Sequence, residues 1–489
     1  MLRRNLQQQP SFTRSWTGKM PAQCPGFGPD GTFASLPQVQ LTASRQQVRD
    51  YFDNGWTLTE QLFSGLASEE AFYRRPYHQL RHPMIFYYGH VAALYANKLK
   101  MAGLVSRSIH LQFEKLFATG VDEMSWDDLY DGRQDIWPSV QEVFQFRRDV
   151  YDMVAEVIET TPLLPMAATE NPQASPLWAL FMGFEHERIH IETSSVLMRE
   201  LPLEYLRRPQ GWAPLPSALP QRRQEFSMLP MPAGRVTVGK PQATPSFGWD
   251  NEYGSETREV LAFSAGNTLV SNAEFLAFVQ AGGYATRDFW SADGWGWKEF
   301  RHASQPCFWV GQGAQAKLRT IFEEVAMPWH APVVVNFHEA KAYCAWRTQV
   351  EKPATPYRLL TEAEHHSLRD ISSHAANTGL RQGGESDVTA MPANRSGFYD
   401  VFGNVWQWAE DHFHPLPGSA VHPYYDDFST PCYDGQHQMI FGGSFISTGD
   451  MATRWARFHF RPHFFQHAGF RLARSYGQSH NGSVRYVGA

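Results

Sequence analysis

Residues 183–195, GFEHERIHIETSS, contain two histidines, His186 and His190, that are four positions apart. On an α-helix this spacing places both imidazoles on one face with their Cβ atoms about 5–6 Å apart, so one metal ion can bind both. The residues before them are apolar almost all round, which predicts a buried helix from about 176 to 201. Two buried histidines either form hydrogen bonds inside a core or bind a metal, and this motif alone leaves both open.

Charged residues surround the pair on the same segment: Glu185, Glu187, Arg188 and Glu192. We interpret them as polar neighbours that support the histidines. The order of His186 and Glu187 resembles the HExxH motif of zinc peptidases, but no obvious third ligand follows downstream, so a zinc hydrolase is the weaker alternative. Glu192 offers a rival carboxylate ligand, although its offset of two residues from His190 turns it about 200° around the helix.

A third ligand is predicted from residues 82–99, HPMIFYYGHVAALYANKL, which have the pattern of a second buried helix. His90 lies in the middle of this helix after Gly89, whereas His78 and His82 precede it and are weaker candidates. A single histidine there is also compatible with an ordinary buried side chain. Three histidines on two helices would leave coordination positions open, which suits Fe(II) or zinc in a reactive site better than a closed structural site.

Outward from these two helices, the N-terminal half predicts a helical bundle. Ser44 and Gln47 form the signature of a capping box, and apolar residues then recur at helical spacing. Another amphipathic segment follows Pro138, which brings the number of long predicted helices to four. We therefore predict an irregular arm over residues 1–40 and a four-helix bundle over residues 41–204.

The sequence changes character after residue 204. Residues 205–225 are rich in proline and arginine and lack periodicity, which predicts a linker. Beyond them apolar runs are short, and helices are predicted only near 272–281, 336–350 and 361–369. This pattern predicts a loop-rich α+β domain over residues 226–475 and a tail over residues 476–489.

The composition of the chain argues against several classes of function. The 489 residues include 43 basic and 49 acidic side chains, and a net charge of −6 gives no general attraction to nucleic acid. No apolar stretch is long enough for a membrane span, so we expect no membrane partner. The four cysteines are scattered without a CxxC motif, which fits a reducing compartment and predicts a cytoplasmic protein. We interpret the basic N-terminus as a floppy tail rather than a transit peptide.

Six motifs of the C-terminal half resemble, in order and spacing, the formylglycine-generating-enzyme fold, a C-type-lectin-like α+β domain. They are PAGRVTVGK (232–240), FGWDNEYG (247–254), YRLLTEAEHHSL (357–368), GFYDVFGNVWQWAEDHF (397–413), GGSF (442–445) and GFRLA (469–473). The generating enzymes carry a reactive cysteine pair shortly after GGS. Residues 442–460 contain no cysteine, so the copper–thiolate chemistry of that family is not expected here.

The two halves together resemble the thiohistidine sulfoxide synthases, which join a DinB-like helical bundle to this lectin-like domain. Five segments look closest to the ovothiol branch: 51–66, 73–90, 185–202, 424–445 and 458–471. The resemblance implies a non-haem iron enzyme that joins cysteine sulfur to C5 of the histidine imidazole with dioxygen, giving 5-histidylcysteine sulfoxide. It also implies that His90, His186 and His190 hold the iron.

The resemblance further implies a tyrosine that donates a proton and a cationic site for the substrate carboxylates. Residues 422–429 contain Tyr424, our first choice for the tyrosine, and Tyr425, a close second. The cationic candidates lie in residues 458–464 and are His459, Arg461 and His463. Arg461 is preferred because arginine binds a carboxylate through two parallel hydrogen bonds. Each of these side chains could instead have a structural role.

Several alternatives stay open on the sequence. The ergothioneine branch attacks imidazole C2 of trimethylhistidine, whose quaternary ammonium is best held by aromatic faces. A catalytically inert lectin-like binding module would bind no iron and consume no oxygen. The residues after GFRLA contain no glycine-rich turn for S-adenosylmethionine, so either the sequence is a trimmed piece or any methylation belongs to a separate methyltransferase as partner.

Overall fold

The computed structural model describes residues 16–76, 81–118, 136–166, 171–216, 225–369 and 375–476. His78, residues 217–224 of the predicted linker and nearly all of the predicted tail lie outside these ranges. The N-terminal half contains helices α1 (Arg45–Phe63), α2 (Glu69–Tyr73), α3 (Met84–Met101), α4 (Leu111–Leu116), α5 (Val140–Thr160) and α6 (Trp178–Glu200).

The four long helices form the predicted bundle. Helices α5 and α6 each pack against both α1 and α3, so α1 and α3 lie on opposite sides of the bundle. Helix α1 begins after the predicted capping box, in which the Ser44 hydroxyl accepts a hydrogen bond from the backbone N–H of Gln47. Among the described residues, no helix is long and apolar enough to cross a membrane.

A buried ion pair lies at the centre of the bundle. The guanidinium of Arg147 on α5 donates to the carboxylate of Glu60 on α1 at 3.0 Å, and both side chains are fully buried. The hydroxyls of Tyr88 and Thr17 also donate to Glu60, at 2.8 and 2.7 Å. These donors satisfy a charge that would otherwise destabilise the core, and they hold three helices in register.

The C-terminal half is the predicted α+β domain. Its helices are α7 (Asn272–Gln280), α8 (Ala292–Phe300), α9 (Phe337–Glu351) and α10 (Glu362–Leu368). Its strands are β1 (Met228–Met231), β2 (Gly234–Val238), β3 (Glu256–Val260), β4 (Phe263–Gly266), β5 (Trp309–Val310), β6 (Lys317–Arg319), β7 (Glu324–Ala326), β8 (Trp406–His412), β9 (Gln438–Phe441), β10 (Phe458–Phe460), β11 (Ala468–Gly469) and β12 (Ala473–Ser475).

The strands form small separate sheets joined by long loops. The largest has the order β10–β9–β8–β11, in which β9 is antiparallel to both neighbours and β11 is parallel to β8. The others have the orders β1–β4–β12, β5–β6–β7 and β2–β3.

Helix α8 was not among the predicted helices of this half. Its nine residues include Gly294 and Gly296, and each glycine costs a helix about 1 kcal/mol relative to alanine. Tertiary packing compensates, since Trp297 on α8 is 2% exposed. The three predicted helices are present as α7, α9 and α10, and Asn336 and Thr361 cap the last two.

The arm before α1 is irregular in its described part, which begins at residue 16, and this part is packed, whereas most of the predicted floppy tail lies outside the described residues. Thr17 and Phe33 are 2% and 1% exposed. The Gln38 amide donates to the carbonyl oxygen of Phe247 and to Asp450, both at 3.1 Å, and both lie in the C-terminal domain. The segment therefore fastens the bundle to the second domain.

Candidate functional site

The three predicted histidine ligands lie together between α3 and α6. The ring centroid of His90 is 4.9 Å from that of His186 and 4.7 Å from that of His190, and the His186 and His190 centroids are 4.4 Å apart. One nitrogen from each ring falls within a single group whose members are all within 4.8 Å of one another. Helical spacing on α6 and the packing of α3 against it produce this arrangement.

Two glycines allow the close packing around the histidines. A Cβ atom on Gly183 would lie 2.4 Å from the Tyr95 ring, so glycine is needed where α6 meets α3. A Cβ atom on Gly89 would lie 2.7 Å from the ring of Phe117. A small residue at this position could make room either for a substrate or for a neighbouring helix. Gly183 makes room for the neighbouring helix.

The hydrogen bonds of the rings leave nitrogen lone pairs facing one another. The Nδ1–H of His90 donates to the carbonyl oxygen of Phe117 at 2.6 Å, which leaves the lone pair on Nε2. The Nε2 atoms of His186 and His190 are 3.2 Å apart. That separation allows one ion to lie about 2.0–2.1 Å from both nitrogens.

Burial keeps the three imidazoles neutral. It lowers the pKa of His90 to about 4. It also lowers the pKa values of His186 and His190 well below their usual range, and the neighbouring histidines add to the effect. Neutral imidazole is the form that binds metals. The Nδ1 atom of His186 is buried without a hydrogen-bond partner among the described residues. The donor set therefore fits a divalent metal ion.

The charged residues of α6 do not contact the histidine nitrogens, contrary to the interpretation that they support the rings directly. Glu187 accepts a hydrogen bond from Tyr95 at 3.0 Å, and Glu185 accepts from Tyr51 at 2.8 Å and from the backbone N–H of Asp450 at 2.7 Å. These contacts fix the back of α6 against the bundle and the second domain.

Glu192 faces the C-terminal domain, as its angular offset from His190 predicts. Its carboxylate accepts hydrogen bonds from the Trp406 indole and the Ser444 hydroxyl, both at 2.6 Å, and from the Ser447 hydroxyl at 2.7 Å. Ser444 belongs to the GGSF motif. The segment that carries reactive chemistry in the generating enzymes is thus used here to bind the helix of the histidines.

Two cavities meet at His190. The smaller, of about 130 Å³, is lined by Arg81, Tyr87, Thr193, Arg301, His463 and Gln466 among others. The larger, of about 950 Å³, opens to the surface and is lined by Arg81, Tyr87, His90, Lys98, Tyr425, Asp426 and Asp427 among others. His90 and His190 are therefore accessible to small molecules, and both cavities contain charged groups of the kind that bind amino acids.

Of the two candidate tyrosines, the structure brings Tyr425 to the histidines. Its ring centroid is 6.0 Å from that of His186, and it lines the larger cavity. The Nζ atom of Lys98 lies 3.9 Å from the centroid of the same ring. Tyr424, the first choice from the sequence, packs against His422 at 5.0 Å instead. The sequence could not distinguish the two, because no regular geometry fixes the directions in which adjacent side chains of a loop point.

The three cationic candidates are separated in space. His463 lines the smaller cavity beside His190. The guanidinium of Arg461 binds Asp434 and Gln436, at 3.3 and 3.2 Å, and does not line either cavity. His459 stacks on Phe413 with centroids 3.8 Å apart. The structure therefore places His463, and neither Arg461 nor His459, beside His190, and the carboxylate role of these residues stays a prediction.

Sequence reasoning missed Tyr87 and Lys98, which line the cavity on either side of His90. They lie three residues before and eight residues after His90 on α3, so they share its helical face. Applying the spacing rule outward from His90 would have found them. Arg81, in the loop before α3, has no comparable signal.

Comparison with known proteins places both halves in families. Residues 214–476 match the model of the sulfatase-modifying factor enzyme 1-like domain, and residues 51–194 match the DinB superfamily. The chain is 28% identical over 291 residues to a hercynine oxygenase of Mycolicibacterium smegmatis, covering 56% of this chain and 66% of that protein.

Two further relatives extend this similarity. A hercynine oxygenase of Mycobacterium tuberculosis is 31% identical over 223 residues, covering 42% of this chain and 51% of that protein. Ergothioneine biosynthesis protein 1 of Schizosaccharomyces pombe is 21% identical over 435 residues, covering 81% of this chain and 51% of that protein. The chain spans about half to two thirds of the length of these relatives. It belongs to the sulfatase-modifying factor enzyme 1-like family, carries an N-terminal DinB-type domain, and is homologous to hercynine oxygenases and ergothioneine biosynthesis protein 1.

Proposed function

We propose that the protein is a non-haem iron(II) oxidoreductase that joins the sulfur of cysteine to C5 of the histidine imidazole with dioxygen, giving 5-histidylcysteine sulfoxide as in ovothiol biosynthesis. The observation that carries this proposal is the group of three neutral imidazoles, of which His190 lines both cavities and His90 lines the larger one. Homology to enzymes named hercynine oxygenase supports an oxygen-dependent reaction.

His90, His186 and His190 would hold the iron from the bundle side. When bound, iron(II) would supply the redox chemistry with dioxygen. The protein supplies neutral ligands, because burial keeps protons off the rings, and it leaves the cavity side open to substrates. Three histidines without a carboxylate also leave the site with no ligand charge, so a cysteine thiolate would find a net positive centre.

Tyr425 is our candidate proton donor. Burial raises the pKa of its phenol, with a further contribution from Asp427, so the hydroxyl stays protonated at neutral pH. Its ring contacts both His186 and Lys98, and it lines the larger cavity. A positioned acid of this type typically contributes 10²–10⁴-fold to a rate.

The substrate charges match the cavity walls. Histidine and cysteine each carry an α-carboxylate and an α-ammonium group. Arg81 lines both cavities, and His463 lines the smaller one, so these are our candidates for the carboxylates. Asp426 and Asp427 on the rim of the larger cavity are suited to the ammonium groups. Binding both substrates beside one ion would also set which ring carbon meets the sulfur.

Anaerobic reconstitution with iron(II), followed by histidine, cysteine and air, tests the proposal. We expect one sulfoxide product bonded at C5, identified by mass spectrometry and NMR, with oxygen uptake in proportion. A parallel reaction with trimethylhistidine tests the ergothioneine alternative, because relatives of the chain are named hercynine oxygenase and ergothioneine biosynthesis protein 1. A product bonded at C2, formed preferentially from trimethylhistidine, would replace our proposal. Absence of iron binding and of oxygen uptake would indicate a binding module.

A further inference from the structure

A second group of metal-binding side chains, distinct from the three histidines, lies in the C-terminal domain, and one of its members, Cys432, also lines the larger cavity. It consists of Cys432, His437 and His459, whose donor atoms are all within 4.8 Å of one another. Cys432 ends a short 3₁₀ turn, His437 immediately precedes β9, and His459 lies on β10. Strands β9 and β10 pair with His459 opposite Met439, which brings the two histidine rings to a centroid distance of 5.1 Å.

His437 is oriented by a carboxylate. Its Nδ1 atom is 3.0 Å from Oδ1 of Asp434, and since a carboxylate only accepts, Nδ1 carries the proton. The lone pair is then on Nε2. A carboxylate behind a histidine in this way is the usual arrangement of a metal-binding histidine, because it fixes the ring and raises the basicity of the other ring nitrogen.

His459 is oriented by stacking and has an unsatisfied nitrogen. Its ring lies on that of Phe413 with centroids 3.8 Å apart and an interplanar angle of 22°. Its Nδ1 atom is buried and has no hydrogen-bond partner among the described residues. An unsatisfied buried polar atom costs about 1–3 kcal/mol, and a bound cation would remove that cost.

We propose that Cys432, His437 and His459 form a second metal site that takes a zinc-type divalent ion. One thiolate and two neutral imidazoles suit zinc in both charge and ligand softness, and the thiol proton of Cys432 is released to solvent on binding. The donors of one tetrahedral ion lie about 3.3–3.6 Å apart, so small side-chain rotations close the site. Three protein ligands leave a fourth position for water.

The site would act on the segment that carries Tyr425. Cys432 and His437 belong to the loop of residues 422–437, which also contains Tyr425, whereas His459 belongs to the sheet. An ion bound by all three would fasten this loop to β10. The competing explanation is that Cys432 only packs as a small apolar side chain against the cluster of Phe413 and Met439.

Cobalt(II) titration of the full chain separates these explanations. The test uses a His186→Ala/His190→Ala background, which removes the first group, so the outcome does not depend on the proposed function. We expect one equivalent of cobalt(II) with a thiolate charge-transfer absorption, and displacement by zinc(II). Cys432→Ser in that background should abolish the absorption, while Cys307→Ser, at an exposed cysteine, should leave it unchanged.

Two further variants test the histidines. Asp434→Asn should weaken cobalt(II) binding about 10–100-fold, as expected for loss of the group behind a ligand. His459→Ala should remove most of the binding, and if that variant does not fold, Cys432→Ser and Asp434→Asn decide. Zinc(II) should raise the Tm of the background protein but not of its Cys432→Ser variant. No thiolate absorption in the background protein, or the same absorption after Cys432→Ser, would overturn the proposal.

Discussion

The two sides of the proposed iron centre are built in different ways. The bundle side consists of α3 and α6, whose histidines are buried and whose bundle is held by the Arg147–Glu60 ion pair at 3.0 Å. The opposite side is the loop of residues 422–437, held by ring contacts such as that between Trp249 and Phe428, with centroids 4.0 Å apart. Helices fix ligand positions through their backbone hydrogen bonds, whereas a loop can admit and adapt to substrates.

This difference implies a division of labour. Changes on the helical side should remove the metal and every activity that depends on it. Changes on the loop side should leave the metal in place and alter what happens to the substrates. A variant that breaks this rule would show that the two sides are coupled.

The largest effect is expected from His186→Ala. Losing one of three imidazoles should abolish stoichiometric iron and with it turnover, while the fold persists because the Arg147–Glu60 ion pair that holds the bundle is left intact. Metal analysis and circular dichroism measure the two properties. His412→Ala, at an exposed histidine on β8, is the control and should retain iron. Stoichiometric iron in His186→Ala would contradict the assignment of the ligands.

On the loop side, Tyr425→Phe should retain iron and both substrates but lose the proton donor. We expect sulfoxide formation to fall 10²–10⁴-fold, with cysteine diverted to its sulfinic acid. Tyr424→Phe is the matched control, because the neighbouring ring packs against His422 and does not line the cavity. Equal losses in the two variants would mean that the loop, rather than the Tyr425 hydroxyl, is needed.

The sequence predicted the helical side better than the loop side for a physical reason. Helical periodicity specifies which residues that are close in sequence also lie close in space, so His186 and His190 could be paired directly. Pairing them with His90 required only that two buried helices meet. The fold class of the second domain was identified from six motifs and is confirmed by the family match over residues 214–476.

Loop geometry has no comparable rule. Tyr424 and Tyr425 are adjacent, and tertiary contacts with His186, Lys98 and Trp249 distinguish Tyr425. Arg461 has the right chemistry for a carboxylate, but a partner 27 residues earlier in the chain, Asp434, binds it. Such pairings depend on the path of the loop, which local propensity does not determine.

A pH experiment on the metal-free protein tests whether the histidines of the helical side are uncharged in the folded state. Burial lowers the pKa of His90 to about 4, below the value of about 6.5 for an unfolded histidine. Between these values the unfolded chain binds a proton that the folded chain does not, so stability is lost as the pH falls through that window. Each such histidine adds a slope of about 1.4 kcal/mol per pH unit.

Urea unfolding at about pH 6.5, 5.5 and 4.5 measures how steeply the free energy of unfolding depends on pH within this window. His90→Gln removes the titrating group and should make the dependence shallower than in the unaltered protein. An identical slope in the two proteins would mean that His90 takes up a proton in the folded state, and the neutral-ligand argument would fail.

The smallest effect is expected where the two sides are joined. Glu192→Gln keeps the shape of the side chain that bridges α6 to Trp406, Ser444 and Ser447. The glutamine amide has one acceptor oxygen, whereas the indole and the two hydroxyls all donate to the carboxylate. We therefore expect the free energy of unfolding to fall by about 1–3 kcal/mol. Glu156→Gln, at an exposed glutamate of α5, should change it by less than about 0.5 kcal/mol.

Iron stoichiometry should be the same in both glutamate variants, because Glu192 does not contact the histidine nitrogens. Turnover in Glu192→Gln should fall only to the extent that the lectin-like domain shifts against α6 and moves Tyr425 away from His186. Loss of iron in Glu192→Gln at unchanged stability would instead show that the link between the domains sets the positions of the ligands, and the separation of metal binding from substrate handling would be wrong.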